Sequence, residues 1–268
     1  MARRAVMEVA HDPAIASTPE HILTAKEILI QRQDTHLDSL AERLREPRVR
    51  RVIEPMLTGG SLSDVPQDDI RFLVDLGLCR FDGAGGLVIA NPIYREVLPR
   101  VLAYTTTASL PQISPTWLKP DGGLDADKLL TAFLAFWRQH GQPLLGSVHY
   151  HEVAAQLVMM AFLHRVVNGN GTLDREYAIG TRRMDLCLRY GGPQPVTLGI
   201  ELKVWRDGEE DPLADGLVQL DAYLDGLGLP GGWLVIFDRR SGQLPIAKRT
   251  TAEPAATPAG RTITLIRA

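Results

Sequence analysis

Apolar residues recur every three or four positions through residues 20–46, EHILTAKEILIQRQDTHLDSLAERLRE. Ile28, Leu29, Leu37, Leu40 and Leu44 share that spacing, which predicts an amphipathic helix ended by Pro47. A second helix is predicted over 48–57, with Val49, Val52, Ile53 and Leu57 inward and Gly59-Gly60 as its stop. Residues 66–76 predict a third, with Ser63 or Asp64 as cap, Asp68 and Asp69 in the first turn and Gly77 as terminator. LCRF and LVIA then alternate around the turn DGAGG as two short strands, and Asn91-Pro92 opens a further helix. Helix, helix, two-stranded wing and helix together make a winged-helix pattern.

Beyond a Ser/Thr/Pro-rich stretch at 105–123, which reads as a linker, the pattern changes. Asp125 is placed to cap a helix over 126–140. Asp121, Asp125 and Asp127 do not form a calcium loop, because the required glycine and terminal glutamate are missing. Residues 149–169, HYHEVAAQLVMMAFLHRVVNG, are apolar nearly all round and predict a buried helix. LDREYAIG and RRMDLCLRY follow as strands around Gly180-Thr181, and GGPQP (191–195) leads into the strand VTLGIELKVW. Asp211-Pro212 opens a helix whose stripe is Leu213, Leu217, Leu220, Leu224 and Leu227, ended by Gly228. GWLVIFD, continuously apolar, predicts a strand covered on both faces. The low-complexity AEPAATPAG leads to TITLIR, expected to be an added edge strand.

The predicted fold class is therefore mixed α/β, an α+β arrangement with a mixed sheet behind a helical, winged-helix-like region. It divides into an N-terminal helical segment (1–47), the winged-helix-like domain (48–104), the linker (105–123) and a C-terminal domain (124–268). A chain of 268 residues with 45% hydrophobic content can bury more than one core. Cys79 and Cys187 are isolated, which supports neither a disulfide framework nor a cysteine zinc site, and His149 and His151 are two apart, on opposite sides of a helix. No signal-peptide core and no run of 18 apolar residues occurs, so a cytoplasmic protein without a membrane partner is expected. Net charge is −3, which gives no global attraction to nucleic acid. Arg43, Arg45, Arg48, Arg50 and Arg51 alternate with Glu42, Glu46 and Glu54 at helical spacings, which favours a salt-bridged surface over a phosphate contact.

Period-two alternation puts Glu201 and Lys203 on one face of VTLGIELKVW and Ile200, Leu202 and Val204 on the other. If the strands pair as a meander, Asp185 joins them. Two carboxylates about 4.5 Å apart repel by about 4 kcal/mol at an effective dielectric of 20, more than one lysine offsets. A divalent cation with oxygen ligands, Mg²⁺ or Mn²⁺, would neutralise the rest, and the Leu202 carbonyl could add to the ligand set. Such a site hydrolyses phosphodiesters.

Asp185, the 15-residue gap, Glu201-Leu202-Lys203 and the α-β-β-β-α-β order resemble the PD-(D/E)XK nuclease superfamily, with its restriction-endonuclease-like fold. NGNGTLDREYAIGTRRMDL, GIELKV, GLVQLDAYLDGLGLPGGWLVIFDRR and the upstream IANPIYREVLPRVL extend the likeness to the C-terminal half of bacterial AAA-like ATPases that carry this nuclease domain. The resemblance covers roughly residues 20–240. It implies Asp185 and Glu201 as metal ligands and Lys203 as catalytic base or water-orienting residue. Gln219 and Tyr223, one helical turn apart, would face the same site, and Glu152 would supply an additional acid. Arg182 and Arg183, beside Asp185, are candidates for holding a phosphate. Glu152 with Gln156 also reads simply as a polar stripe on an apolar helix.

The phosphate-loop signature is missing and no Gly-Lys dipeptide occurs, so ATP hydrolysis is not expected. The expected activity is cleavage of nucleic acid, DNA before RNA, with a partner ATPase and a homodimer left open. The rival reading is a non-catalytic DNA- or partner-binding regulator using the nuclease fold as scaffold. For the winged-helix segment itself, Asp68, Asp69 and Asp75 against a single Arg71 make a poor major-groove helix, which favours docking to protein.

Overall fold

The computed structural model describes residues 40, 42–58, 62–83, 85–90, 94, 98, 102, 110–147, 153–168, 170–176 and 185–268, without the side chains of 58, 146–147, 175–176 and 185. The chain forms two compact units, one of residues 1–53 with 64–102 and one of residues 54–63 with 103–268. Among the described residues it is a mixed α+β protein with six helices, a two-stranded sheet and a six-stranded mixed sheet. Most of the predicted helix 20–46 and the Asn91 cap lie outside the described residues.

Helix α1 (Pro47–Thr58), whose residues 47–53 belong to the first unit, begins on the proline that the sequence reads as a breaker. Proline is tolerated in a first helical turn because no intrahelical N–H bond is lost there. Helix α2 (Gln67–Asp75) starts one residue later than predicted, and its cap position is Pro66, which has no side-chain acceptor, rather than Ser63 or Asp64. Its end follows the prediction. Gly77 takes a φ of 70°, and the N–H groups of Gly77 and Leu78 return to the carbonyls of Val74 (2.9 Å) and Leu73 (3.0 Å). The two-stranded sheet is β1 (Cys79–Phe81) paired antiparallel with β2 (Leu87–Ile89).

The basic cluster is tied down here. Arg43 pairs with Glu46 at 2.7 Å and Arg45 with Glu42 at 3.3 Å, exposed pairs of small energetic weight. Arg51 and Arg48 reach Asp69 at 2.8 and 3.4 Å, and the Arg48 guanidinium lies 3.7 Å above the Phe72 ring. Asp69 of the α2 first turn thus pairs with two of the arginines that a phosphate would otherwise need.

The second unit is built on the six-stranded sheet, in the order β3-β4-β5-β6-β8-β7. Its strands are β3 (Gly171–Glu176), β4 (Asp185–Tyr190), β5 (Val196–Trp205), β6 (Gly232–Asp238), β7 (Thr251–Ala256) and β8 (Thr262–Arg267). β3, β4 and β5 form the predicted antiparallel meander, β6 joins β5 in parallel, and β8 joins β6 in parallel. TITLIR is therefore an interior strand, not the expected edge. The edge is β7, drawn from the Pro/Ala-rich segment and paired antiparallel with β8. Pro254 fits only such a position, because a proline cannot donate to a neighbour on each side.

Helices α3 (Ala126–Ser147) and α4 (Ala154–Val167) belong to this unit, and Trp137 of α3 packs on Phe237 of β6 with ring centroids 4.9 Å apart. Asp125 caps α3 as predicted, its Oδ1 accepting from the Lys128 N–H at 3.0 Å. The helix passes the predicted end at 140 and runs through Pro143. Packing outweighs the lost backbone bond there: Trp137 and Ile246 crowd Gly141, and Leu144 and Leu145 are buried. Part of the segment read as linker also belongs to this core. Trp117 stacks edge-on against Phe162 at 5.8 Å, and Arg165 donates to the carbonyls of Pro111 (2.9 Å) and Leu110 (3.1 Å).

Helix α4 is apolar nearly all round, as predicted, apart from Gln156 and, in its last turn, His164 and Arg165; Gln156 is 5% exposed. Among the described residues its Oε1 is buried with no hydrogen-bond partner. An unsatisfied amide costs about 1–3 kcal/mol, so Gln156→Met is expected to raise unfolding free energy by about 1–2 kcal/mol in a urea titration. An unchanged or lowered midpoint would contradict that.

The opposite face of the sheet carries α5 (Leu213–Leu227), opened by Asp211, whose Oδ1 accepts from the Leu213 N–H at 3.0 Å, and closed at Gly228, φ 64°. Leu220 and Leu224 of its predicted stripe pack with Leu234, Ile236, Ile263 and Leu265. Gly216 lets the helix approach closely, since a Cβ there would lie 2.7 Å from Leu234 Cδ1.

Candidate functional site

The two faces of strand β5 differ. Ile200 and Leu202 are buried on one. Glu201 and Lys203, 0% and 7% exposed, lie on the face that α5 covers, next in the ladder to Leu234 and Ile236 of β6. The Lys203 Nζ donates to Glu201 Oε1 at 2.6 Å and also to Gln219 Oε1 of α5. The predicted sharing of a face is thus realised as a buried ion pair, with Gln219 as third member.

Taking two charges out of water costs several kcal/mol each, and well-packed apolar residues in their place are often as stable or more so. Stability alone therefore gives no reason to keep Glu201 and Lys203 among leucines and isoleucines.

The β4–β5 ladder sets Asp185 directly opposite Glu201, the pairing that the metal reading needs. One strand further, Glu176 is the ladder partner of Asp185. Glu176, Asp185 and Glu201 thus occupy one row across three adjacent strands. Glu176 was not among the predicted site residues: it sits in a strand with no other mark, and only the register reveals it. Leu202 lies one residue past the last described β4 pair, with its side chain in the core away from the Glu201 face.

Tyr223 is half-buried on α5, one turn beyond Gln219, with its ring near the Gly199 Cα. Glu152, Arg182 and Arg183, all predicted site residues, lie outside the described residues, as do His149 and His151. Among the described residues no group of three or more His, Cys, Asp and Glu is drawn together. The side chains of Asp185 and Glu152 are not in that set.

Two residues past Lys203, Trp205 is covered by the Arg240 guanidinium, 3.4 Å from its ring centroid. Arg240 is held by Asp238 through two bonds of 2.9 and 2.8 Å, which keep the Asp238 carboxyl below the usual carboxylate range. Thr257 and Arg261 do the same for Asp221. A depressed carboxyl stabilises the fold at pH values above its unfolded range, and that contribution disappears as pH falls through the folded value. Melting temperature is therefore expected to drop below about pH 4, and the drop should be shallower in Asp238→Asn, measured by circular dichroism from pH 2 to 7. Equal slopes would remove Asp238 from this account.

A groove lined by Leu130, Leu198, Trp233, Pro254 and Thr264 includes none of Glu201, Lys203 and Gln219. No described helix is long and apolar enough to cross a membrane. Comparison with known proteins gave no match: no family model, no curated protein and no solved structure is significantly similar to the chain.

Proposed function

We propose that the second unit is a metal-dependent nuclease of the PD-(D/E)XK type, with a restriction-endonuclease-like core, hydrolysing phosphodiester bonds in nucleic acid, DNA before RNA. One observation carries the reading: Asp185 is the ladder partner of Glu201, and Lys203 on the same face as Glu201 is buried against it and against Gln219. The strand order supports it too, since a three-stranded meander passes through one covering helix into a parallel fourth strand.

The donor set is made of hard oxygens and fits Mg²⁺ or Mn²⁺. Asp185, Glu201 and the Leu202 carbonyl would hold the ion, with Glu152 as an additional acid. When bound, it supplies a water of lowered pKa and neutralises charge on the phosphoryl oxygens. The chain's own residues do the rest. Lys203, as an ammonium, donates hydrogen bonds and cannot accept a proton, so in this arrangement it orients water and stabilises charge on the phosphate. Gln219 fixes the direction of that ammonium. Tyr223, Arg182 and Arg183 are the proposed contacts to the strand being cut. Hydrolysis forms one P–O bond from water and breaks the phosphodiester P–O bond, whose oxygen leaves with a proton.

The first unit is not assigned the grip on DNA. The exposed face of α2 presents Gln67, Asp68, Arg71 and Asp75, net negative, which suits a protein partner such as an ATPase better than a phosphate backbone.

The test is supercoiled plasmid incubated with the full chain in Mg²⁺ or Mn²⁺, beside EDTA and Asp185→Ala. Metal-dependent nicking by wild type alone is expected. Equal cleavage in all lanes, or none in any, would count against the reading.

A further inference from the structure

Gln219 can hold the Lys203 ammonium only if α5 lies at the right place along the sheet. Its apolar contacts, Gly216 on Leu234 among them, hold it close to the sheet, but burial of leucines against leucines is itself non-directional. A slip of one residue moves a helix by about 1.5 Å, enough to open a hydrogen bond. Directional contacts come from charge at the two ends of β8, which is separated from β5 by β6. At one end Arg267 Nη2 bonds Asp211 Oδ2 at 2.7 Å, and Asp211, one residue before the Pro212 cap position, accepts from the Leu213 N–H at 3.0 Å. At the other, Arg261 grips two acids one helical turn apart, Asp221 at 2.6 Å and Asp225 at 2.5 Å. The loop is locked in turn, since Thr257 Oγ1 donates to Asp221 at 2.7 Å and accepts from the Arg261 N–H at 3.1 Å. Gln219 lies between the two anchorages, two residues before Asp221.

We infer that Arg261, through Asp221 and Asp225, is a positioning residue that registers Gln219 on Lys203, with Arg267 and Asp211 as the second anchor. Arg261 reaches none of the site atoms itself and acts by where it holds the helix. This deepens the reading of Lys203 and Gln219 as site residues, but its test needs no nucleic acid, so the two can fail separately.

The test is acylation of the full chain by N-hydroxysuccinimide acetate, read lysine by lysine by mass spectrometry in wild type, Arg261→Met, Asp221→Asn, Gln219→Ala and Arg261→Met/Gln219→Ala. Asp221→Asn keeps an acceptor for Thr257 while losing the ion pair. Lys203 is expected to react about tenfold faster in each single variant, with the surface lysines Lys128 and Lys248 unchanged. The double variant should react no faster than Gln219→Ala, because the clamp acts through the glutamine. Wild-type Lys203 rates in both clamp variants, or multiplied rates in the double variant, would overturn the inference. Should all lysines accelerate in Arg261→Met, the fold has loosened generally and Asp221→Asn decides alone.

Discussion

Lys203→Met is expected to lower metal-dependent cleavage by about 10²–10⁴-fold and to cost about 3–5 kcal/mol of stability. The two losses share one cause. Glu201 is 0% exposed and its carboxylate takes the Lys203 ammonium at 2.6 Å, so removing the lysine leaves a buried acid without that compensating charge. The aliphatic stem of methionine keeps most of the packing, which separates the charge effect from a cavity. Cleavage assays well below the variant's melting temperature keep the activity loss from being a folding loss. A variant as stable as wild type would mean that the ion pair is not what holds Glu201 in the core.

The double variant Glu201→Leu/Lys203→Met should recover the lost stability and stay inactive. Both side chains lie on the α5 face beside Leu234 and Ile236, where apolar groups are already at home. Exchanging a buried pair for packed apolar residues is commonly neutral or stabilising by about 1–4 kcal/mol. The double variant is thus expected at or above the wild-type urea midpoint, with cleavage at background. Such a result would separate the two reasons a buried ion pair can persist, stability and chemistry. A double variant less stable than Lys203→Met would assign the pair a structural role.

The site was legible in the sequence as far as period two reaches. Glu201 and Lys203 two apart in an apolar strand must share a face, whereas Gln219 on the next helix was aimed at them only by the family resemblance. The pairing of Asp185 with Glu201 required a register that the hairpin sets across GGPQP, and the row with Glu176 required the same register carried one strand further. Neither is visible along the chain.

The fold was legible where one pattern dominates. GWLVIFD, VTLGIELKVW and the leucine stripe of α5 read as they are found. Composition misled at the C-terminus, since AEPAATPAG reads as a low-complexity stretch but supplies most of the edge strand, where exposure and a proline are tolerated. It misled again at 105–123, where Leu110 and Trp117 are too sparse to make a pattern and are still buried. The Arg261 clamp left no local signal, because its partners are 36 and 40 residues away.

The row holding Asp185 and Glu201 is proposed to bind a divalent cation. Calorimetric titration of Mn²⁺ into the full chain, beside Glu201→Gln and Asp185→Asn, tests it without a substrate. Saturable binding is expected in wild type, weakened at least about tenfold in each variant as second-order losses at metal sites already are. Identical heats in all three proteins, or no binding in wild type, would contradict it.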